Sequence, residues 1–315
     1  MNTILYEGIV PEGQKPVRLD QYITAKYPKY SRSKTQKAIL ESRLLVNGLI
    51  PKANYLVKTN DQVQLMSKYS NEGKIHPTQI PLDIIYEDNE LLVVNKPSGM
   101  AVHAGLGTHT DTLLNAIAHH YKITGQEKNL PNGLVHRLDK GSSGLICVAK
   151  TKTSFQYLAN QFKKKEAGRT YNALVWGITP AQGLINLPIG RNPDNKMQIM
   201  VDKTGLWGKT AITKYTTLQK LPYCSLIECK LETGRTHQIR VHMHYLGYPL
   251  LGDKRYPAKD LPQILSERME QLGISFQLLH ATKLEIIHPN THQKLTFESR
   301  LPAHFSDLIT YLKNE

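Results

Sequence analysis

One carboxylate in the sequence is placed as a reactive group would be. Asp139 lies in a polar turn between two apolar runs, and Arg137 and Lys140 flank it. Neighbouring cations favour the ionised form of a carboxylate, so Asp139 suits a nucleophile or a general base better than a proton donor. Asp is also common in turns, where it binds its own backbone, and this segment alone leaves both interpretations open.

Five segments of the chain form a pattern that includes this turn. They are VVNKPSG (93–99), VHRLDKGSSGL (135–145), RTYNALV (169–175), LETGRTHQIRVH (231–242) and LHA (279–281). In this order and at these distances they resemble the signature of the RluA-type RNA pseudouridine synthases, over roughly residues 81 to 301. Such enzymes detach uracil from its sugar, turn it and rejoin it through carbon 5 without a redox step. The resemblance implies an isomerase that acts on RNA and uses neither a cofactor nor a metal ion.

By this resemblance three residues are catalytic. Asp139 is the carboxylate beside the sugar, and Tyr171 stacks on the base and helps to remove its last proton. Arg235 pairs with Asp139 and keeps it charged in a water-poor site. The sequence leaves open whether Asp139 attacks the sugar, attacks the base or removes a proton from the sugar.

Four further residues are expected to bind the substrate. The resemblance gives Arg137 the role of filling the RNA stack after the target nucleotide has flipped out. The others are His136, Arg191 and Lys209. Arg191 and Lys209 belong to basic, glycine-rich segments that fit either a mobile loop over the RNA or an ordinary surface hairpin.

The turn departs from the family pattern at two positions. Family members often have an acidic residue and a threonine where this chain has Gly141 and Ser142. We therefore expect a more flexible turn, with the chemistry retained because Asp139, Ser143 and Gly144 are present.

Composition favours a polyanionic partner. The chain has 315 residues, with 40 Lys and Arg against 26 Asp and Glu, a formal charge of +14 and a pI of about 9.5. Release of condensed counterions favours the binding of such a protein to a polyanion. Charge alone does not distinguish RNA from DNA or from an acidic membrane.

Two domains are expected, because the chain exceeds the length of about 250 to 300 residues at which single cores stop growing. Residues 1–68 form a domain of two helices and a hairpin with a tight turn at Asn47-Gly48. The stretch also contains Arg18-Leu19-Asp20, Ser31-Arg32-Ser33 and Val46-Asn47-Gly48. With these motifs it resembles the small RNA-binding domain of a ribosomal small-subunit protein. A polar linker covers 69–80 and a catalytic domain covers 81–315. The cations expected to contact RNA are Arg18, Arg32, Lys37 and Arg43.

The fold class expected for both domains is α+β. The first is a small α+β unit, and the resemblance implies a mixed, mostly antiparallel sheet for the second. Its predicted strands are 91–95, 145–149, 171–177, 225–231 and 283–287. Helices are predicted over 153–165 and 236–246. The lysine run at the end of the first of these helices fits a solvated helix terminus.

Other function classes fit the sequence less well. Cys147, Cys224 and Cys229 form no CxxC pair, so they are interpreted as reduced, buried thiols, and a zinc deaminase is disfavoured. The spacing of His237, His242 and His244 lacks the i, i+4 pair of a metal hydrolase. With no leader and no apolar run of about 18 residues, a cytoplasmic monomer without membrane association is expected.

The function predicted from these residues is the isomerisation of specific uridines in structured RNA. Large-subunit ribosomal RNA is the preferred substrate, because an appended RNA-binding domain is compatible with it. The same chemistry on transfer RNA remains an alternative. So does a non-catalytic RNA-binding or ribosome-assembly protein, although Asp139, Tyr171 and Arg235 are all present.

Overall fold

The chain folds into two compact units, Met1–Ile75 and His76–Glu315. The computed structural model describes residues 4–66, 75–103, 110–126, 128–129, 133–193, 195 and 198–314. Residues 69–74 of the predicted linker therefore lie outside the described residues. The end of that stretch is tied to the second unit, because the Asn115 side chain donates to His76 O and its backbone carbonyl accepts from Thr78 N.

The first unit contains two helices and a small sheet, as predicted. Its elements are β1 (Ile4–Ile9), α1 (Leu19–Lys26), α2 (Arg32–Leu40), β2 (Leu44–Val46) and β3 (Gln62–Met66). The strands pair antiparallel in the order β1-β3-β2. Leu19, Tyr22 and Ile23 are buried in its core, and the Ser31 side chain caps α2 by accepting from Lys34 N.

The tight turn predicted in this unit is present. Asn47 and Gly48 both have positive φ, 53° and 76°, and Val46 and Leu49 exchange backbone hydrogen bonds of 2.9 and 3.0 Å around them. The chain then makes a longer excursion before β3, which is the strand that pairs with β2. The Asn47-Gly48 turn therefore joins only Val46 and Leu49, and the strand that pairs with the whole of β2 is β3.

The second unit is built on a large mixed sheet. Its strands are β4 (Ile84–Glu87), β5 (Leu91–Lys96), β6 (Ser143–Ala149), β7 (Gly168–Trp176), β8 (Gln182–Asn186), β9 (Ile189–Arg191), β10 (Ile199–Val201), β11 (Ile212–Leu221), β12 (Cys224–Leu231), β13 (Leu279–Ile287) and β14 (Lys294–Glu298). Its helices are α3 (Leu113–Ile123), α4 (Lys152–Lys164), α5 (Gln238–Tyr245), α6 (Gln263–Gln271) and α7 (Ala303–Lys313).

Among the described residues, nine of these strands form one sheet. Its order is β4-β5-β6-β13-β7-β12-β11-β8, with β14 also paired to β13. The pair of β6 and β13 is parallel and the other pairs described in the sheet are antiparallel. Strands β9 and β10 form a separate antiparallel ribbon. The predicted α+β class and mostly antiparallel sheet are confirmed.

Helices pack on both faces of this sheet. Successive side chains of a strand point to opposite faces, so Leu92 and Val94 of β5 join the core that contains α3 and α5 residues. Leu91 and Val93 join the core that contains Leu158 of α4. All four β5 residues are fully buried, which explains why this run is continuously apolar.

The register of the central strands brings distant motifs together. Gly144 of β6 pairs with Ala281 of β13, which pairs with Tyr171 of β7. Asp139 lies in the turn that leads into β6, so the sheet places this carboxylate and Tyr171 near one another although 32 positions separate them in sequence.

The three cysteines are free and buried, as expected for reduced thiols. Burial raises the pKa of each thiol. Within the described part of the chain, no helix combines the length and the apolar character needed to cross a membrane.

Candidate active site

A cleft of about 450 Å³ opens beside the Asp139 turn. It is bounded by that turn, the end of α4, the start of β7 and the connection from β12 to α5. The lining residues are 135–139, Ser142, Ala159, Phe162, Lys163, Lys165, Arg169, Tyr171, 231–240 and Leu279. All of them belong to the second unit.

Hydrogen bonds to two backbone carbonyls hold the Asp139 turn against the segment that follows β5. Ser98 Oγ donates to Gly141 O at 2.6 Å, and Gly99 N donates to Lys140 O at 2.9 Å. The VVNKPSG segment thus forms a fixed support behind Asp139.

A buried lysine reinforces this support. Lys96 Nζ donates to Pro97 O, Met100 O and Lys140 O at 2.8, 2.9 and 3.3 Å, and the residue is 1% exposed. Burial lowers the pKa of Lys96 to about 7, while the charge of Asp139 opposes that shift. Three carbonyl acceptors match the three N–H donors of the ammonium form.

Gly141 is closely packed, and the greater flexibility expected of this turn stays a prediction. A Cβ on Gly141 would lie 2.5 Å from Gln277 Oε1 and 2.9 Å from Phe276 Cβ. Gln277 Nε2 also donates to Ser142 Oγ at 3.1 Å. The two departures from the family pattern therefore belong to a tight contact between the turn and the segment before β13.

The arginine that pairs with Asp139 is Arg240, which corrects the prediction of Arg235. Arg240 Nη1 donates to Asp139 Oδ2 at 3.0 Å. Arg235 is exposed, and its Nε donates to Thr210 O at 3.0 Å. Arg235 precedes α5 and turns toward the neighbouring chain segment, whereas Arg240 lies within α5 on the side that faces the turn.

A second carboxylate fixes Arg240 from behind. Arg240 Nε and Nη2 donate to Asp253 Oδ2 and Oδ1 at 2.7 and 2.8 Å, and the Asp253 side chain is 1% exposed. Burial lowers the pKa of Arg240, but the bonds to Asp253 and the charge of Asp139 outweigh it and raise the pKa overall. Asp139 Oδ1 has no hydrogen-bond partner among the described residues. One oxygen of Asp139 is thus held, and the other is available for chemistry.

His237 faces the same carboxylate as a neutral acceptor. Its Nε2 lies 3.9 Å from Asp139 Oδ2, and its Nδ1 lies 2.9 Å from the Tyr256 hydroxyl. Tyr256 donates its single hydroxyl proton to Ile199 O, so His237 Nδ1 is the donor and Nε2 keeps its lone pair. Burial lowers the pKa of His237 to about 4. The sequence flagged this residue only within a histidine cluster.

The other members of that cluster have protein partners or face solvent. His242 hydrogen-bonds with Thr213 Oγ1 and Leu187 O through its two ring nitrogens, and His244 is exposed. Among the described residues no group of three potential metal ligands occurs.

Tyr171 and Arg137 both line the cleft. Tyr171 is buried, and burial raises the pKa of its hydroxyl, with Arg169 opposing the shift and Asp139 adding to it. Arg137 is exposed at the edge of the turn. A tyrosine in the wall and a solvent-facing guanidinium on the rim are compatible with the roles predicted for them.

His136 also lines the cleft, but its nitrogens are occupied or buried. Nε2 accepts from Cys147 N at 2.8 Å, Nδ1 is buried without a partner, and the ring stacks on Phe162 at 4.6 Å. Burial, followed by the charge of Arg169, lowers the pKa of His136 to about 3. The predicted substrate contact is thereby restricted to ring carbons.

Arg191 and Lys209 lie outside the cleft wall. Both are exposed, and Lys209 exchanges two backbone hydrogen bonds of 2.9 Å with Ile189. Arg191 ends β9, which pairs with β10. Of the two sequence interpretations, the surface hairpin fits the described residues; residues 194, 196 and 197 are not among them.

The lysine run at the end of α4 is exposed, as predicted, and two of its members also line the cleft. Lys163 and Lys165 line the cleft, and Lys165 ends α4 in the left-handed conformation with φ 64°. That conformation is usually taken by glycine at a helix end. The helix terminus therefore delivers positive charge to the rim.

The first unit presents part of its predicted cationic surface. Arg18 and Arg32 converge on the buried carboxylate of Asp20, at 3.1 and 3.8 Å, and remain substantially exposed. Lys37 is exposed and lies 3.8 Å from Glu41. These three side chains remain accessible to RNA.

Arg43 does not belong to that surface, which corrects its prediction as an RNA contact. It is 7% exposed, and its guanidinium donates to Glu41, to the Tyr30 hydroxyl and to Met66 O. A buried arginine with these partners ties α2 to β3, because each donor replaces a hydrogen bond to water.

The geometry of the cleft defines what it can do chemically. A carboxylate with one available oxygen lies beside a fixed guanidinium, a neutral imidazole and a tyrosine. Such a carboxylate can act as a nucleophile or a general base, and the tyrosine can face a planar ring. The surrounding cations favour an anionic substrate.

Family models match both units. The model described as RNA pseudouridylate synthase matches residues 90–245, and the S4 domain model matches residues 17–63. A solved structure titled Human RNA Pseudouridylate Synthase Domain Containing 4 has a TM-score of 0.60 and 24% identity. It covers 73% of this chain and 92% of its own, and it supports the fold alone.

Relatives match along almost the whole chain. An uncharacterized RNA pseudouridine synthase of Chlorobaculum parvum is 41% identical over 304 residues, which is 93% of each chain. Ribosomal large subunit pseudouridine synthase D of Escherichia coli O157:H7 is 36% identical and covers 96% of this chain and 93% of its own. This chain therefore belongs to the RNA pseudouridine synthases, the isomerases that convert uridine in RNA to pseudouridine.

Proposed function

We propose that this protein isomerises uridines in large-subunit ribosomal RNA, with Asp139 as the catalytic carboxylate. The single observation that carries the chemical assignment is the environment of Asp139. One oxygen is held by Arg240 at 3.0 Å, the other lacks a described partner, and both belong to a cleft with Tyr171 in its wall. Relatives named for the large ribosomal subunit support the choice of RNA.

Each residue has a distinct part in this proposal. Arg240 keeps Asp139 ionised and oriented, and Tyr171 stacks on the uracil and assists the last proton transfer. Arg137, on the rim, fills the space that the flipped nucleotide leaves in the RNA. His237 Nε2 offers an acceptor beside Asp139. Uridine isomerisation requires no electron transfer, so none of these groups has to carry a redox step.

The first unit, in this proposal, contributes RNA affinity. Arg18, Arg32 and Lys37 are exposed cations on its two helices, and phosphate contacts of this kind add affinity without reading sequence.

A monomer in the cytoplasm is the state we propose for the active protein. Sedimentation equilibrium at several protein concentrations tests this, and a concentration-independent dimer mass would contradict it. Fractionation of host cells tests the compartment.

The substrate proposal is tested with purified protein and transcripts labelled with tritium at carbon 5 of uridine. Isomerisation releases that tritium to water. We expect release from large-subunit ribosomal RNA, none from transfer RNA, and none with Asp139→Asn. Release from transfer RNA alone would move the substrate to that class. Absence of release from both RNAs, with RNA binding retained, would support the non-catalytic alternative.

A further inference from the structure

Arg169 is a cation of the cleft whose guanidinium lacks a hydrogen-bonding or ionic partner among the described residues. Among the described residues it forms no side-chain hydrogen bond and no ion pair, and its Nε is buried without an acceptor. A buried donor left unpaired is costly, and a charged one more so. The neighbouring Arg240, by contrast, is fully engaged by two carboxylates. Among the described residues, Arg169 Nε therefore lacks an acceptor.

The guanidinium is nevertheless held in a defined position. Its central carbon lies 5.4 Å from the centre of the Phe162 ring, which in turn stacks on His136. On another side it lies against Gly234, where an added Cβ would collide with Nη1. An aromatic ring and a glycine thus contact Arg169, while its Nε stays without an acceptor among the described residues.

Arg169 shares the cleft with the reacting carboxylate. Arg169 lies two residues before Tyr171 on β7, the spacing that places both side chains on one face of a strand, and both line the cleft with Asp139. Lys163 and Lys165 add two further cations at the adjacent end of α4.

Carboxylates of the wall do not neutralise this charge. The acidic residues of the wall are Asp139 and Glu232. Asp139 is paired with Arg240 at 3.0 Å, and Glu232 is paired with Lys214 at 2.8 Å. The Arg169 side of the cleft consequently attracts an anion from solution.

We propose that Arg169, supported by Lys163 and Lys165, forms a phosphate subsite that binds a phosphodiester adjoining the target uridine. This inference rests on the proposed function, because it requires an RNA nucleotide in the cleft. Uracil and ribose are neutral at pH 7, whereas each nucleotide of RNA carries a charged phosphate on either side. A guanidinium presents parallel N–H donors that match two phosphate oxygens.

The subsite gives Arg169 a role in binding that differs from the roles of the reacting groups. Binding of the phosphate by Arg169 holds the sugar beside Asp139. Loss of Arg169 should therefore weaken RNA affinity more than it lowers the rate of isomerisation once the RNA is bound. The expected effect of Arg169→Gln is roughly tenfold or more in Kd, with the slope of log Kd against log salt reduced by about one.

Neutral phosphate analogues test the contact directly. The probe is a short single-stranded RNA with one central uridine, in which the phosphate 5′ or 3′ of that uridine is replaced by methylphosphonate. For the wild-type protein, one of the two replacements should weaken binding by roughly tenfold. For Arg169→Gln, the same replacement should cause no further loss, because the contact is already absent.

Arg268 provides a matched control. Its Nε is also buried without a partner, and its guanidinium lies 4.9 Å from the centre of the Tyr311 ring, but it does not line the cleft. Arg268→Gln should bind all three RNAs as the wild type does. Arg169→Lys keeps the charge and should recover part of the affinity, which separates the loss of a cation from misfolding.

The proposal is overturned if the loss of binding free energy from Arg169→Gln adds to the loss from methylphosphonate at both the 5′ and the 3′ phosphate. It is also overturned if Arg268→Gln weakens binding as much as Arg169→Gln does. Pseudouridine formation on unmodified large-subunit RNA is scored separately. A wild-type protein that binds with this coupling yet forms no pseudouridine would refute the proposed function while supporting the phosphate subsite.

Discussion

Asp253→Asn tests whether Arg240 must be fixed from behind for Asp139 to react. Asp253 makes two charge-assisted hydrogen bonds to Arg240, at 2.7 and 2.8 Å, and its side chain is 1% exposed. Bonds of this type contribute about 1.5 to 3 kcal/mol each. Asn retains one acceptor and places an N–H₂ group against a guanidinium donor. About 2 to 3 kcal/mol of the interaction free energy that orients Arg240 is therefore lost.

The consequence of this loss is a rotation of Arg240 toward Asp139. A freed guanidinium can engage both oxygens of Asp139 and occupy the one needed for chemistry. A loss of 2 to 3 kcal/mol corresponds to a fall of roughly 30- to 150-fold in kcat. KM should change little, because Asp253 does not line the cleft. Tritium release under saturating and limiting RNA concentrations separates the two constants.

Asp88→Asn is the matched control for this experiment. Asp253 accepts from two backbone N–H groups, those of Arg255 and Tyr256. Asp88 likewise accepts from two backbone N–H groups and pairs with a buried side chain, that of His288, but outside the cleft. A kcat of Asp253→Asn within threefold of the wild type would refute the reasoning. An equal loss of kcat in Asp88→Asn would also refute it if the two variants unfold at the same urea concentration. The loss of kcat would then follow the loss of stability and not the orientation of Arg240.

Three further predictions concern stability and RNA affinity. Lys96→Met removes the donors to three backbone carbonyls and should lower the free energy of unfolding in urea by roughly 3 kcal/mol; a loss below about 1 kcal/mol would contradict the support assigned to Lys96. Burial lowers the pKa of His136 to about 3 and of His237 and His280 to about 4. Because the unfolded chain binds these protons near pH 6.5, the free energy of unfolding is highest above pH 6.5 and falls as the pH decreases toward 4, by about 1.4 kcal/mol per pH unit for each histidine. In urea unfolding between pH 7 and 4, the free energy of unfolding of His280→Gln should fall less steeply than that of the wild type, by the slope of one histidine. An unchanged slope would exclude His280 as a contributor. Arg43→Ala should destabilise the first unit and leave the salt dependence of RNA binding unchanged, whereas Arg32→Ala should reduce the salt slope by about one; the reverse pattern would return Arg43 to the RNA-binding surface.

Part of the fold was predictable because hydrophobic patterning is local, whereas the mixed, mostly antiparallel sheet followed from the family resemblance. Strands β4, β8 to β11 and β14 and helices α3, α6 and α7 were not predicted. The buried runs of β5, β6 and β7 and the turn at Asn47-Gly48 are specified by residues adjacent in sequence. The partner of Asp139 shows what local patterning cannot predict, because the sequence indicated Arg235 and the structure has Arg240. Two arginines five positions apart lie on either side of a helix start, and only the orientation of α5 decides which one meets Asp139.

A signal for Arg240 was nonetheless present in the sequence. It lies between Ile239 and Val241 in a predicted helix, and an arginine within a buried stretch requires a carboxylate partner. Asp253 could not be identified in this way, because its pairing depends on the chain returning to α5. Likewise, Arg43 carries the same charge as its exposed neighbours, and only packing reveals that it is buried.

The central claim is that Asp139 converts uridines of large-subunit ribosomal RNA to pseudouridine, and mapping pseudouridines in the host tests it most directly. Total RNA from wild-type cells and from cells lacking the gene is labelled with carbodiimide and read by reverse transcription. We predict that discrete stops in large-subunit RNA disappear on deletion, return with the wild-type gene and do not return with Asp139→Asn. Restoration of the same stops by Asp139→Asn would contradict the account.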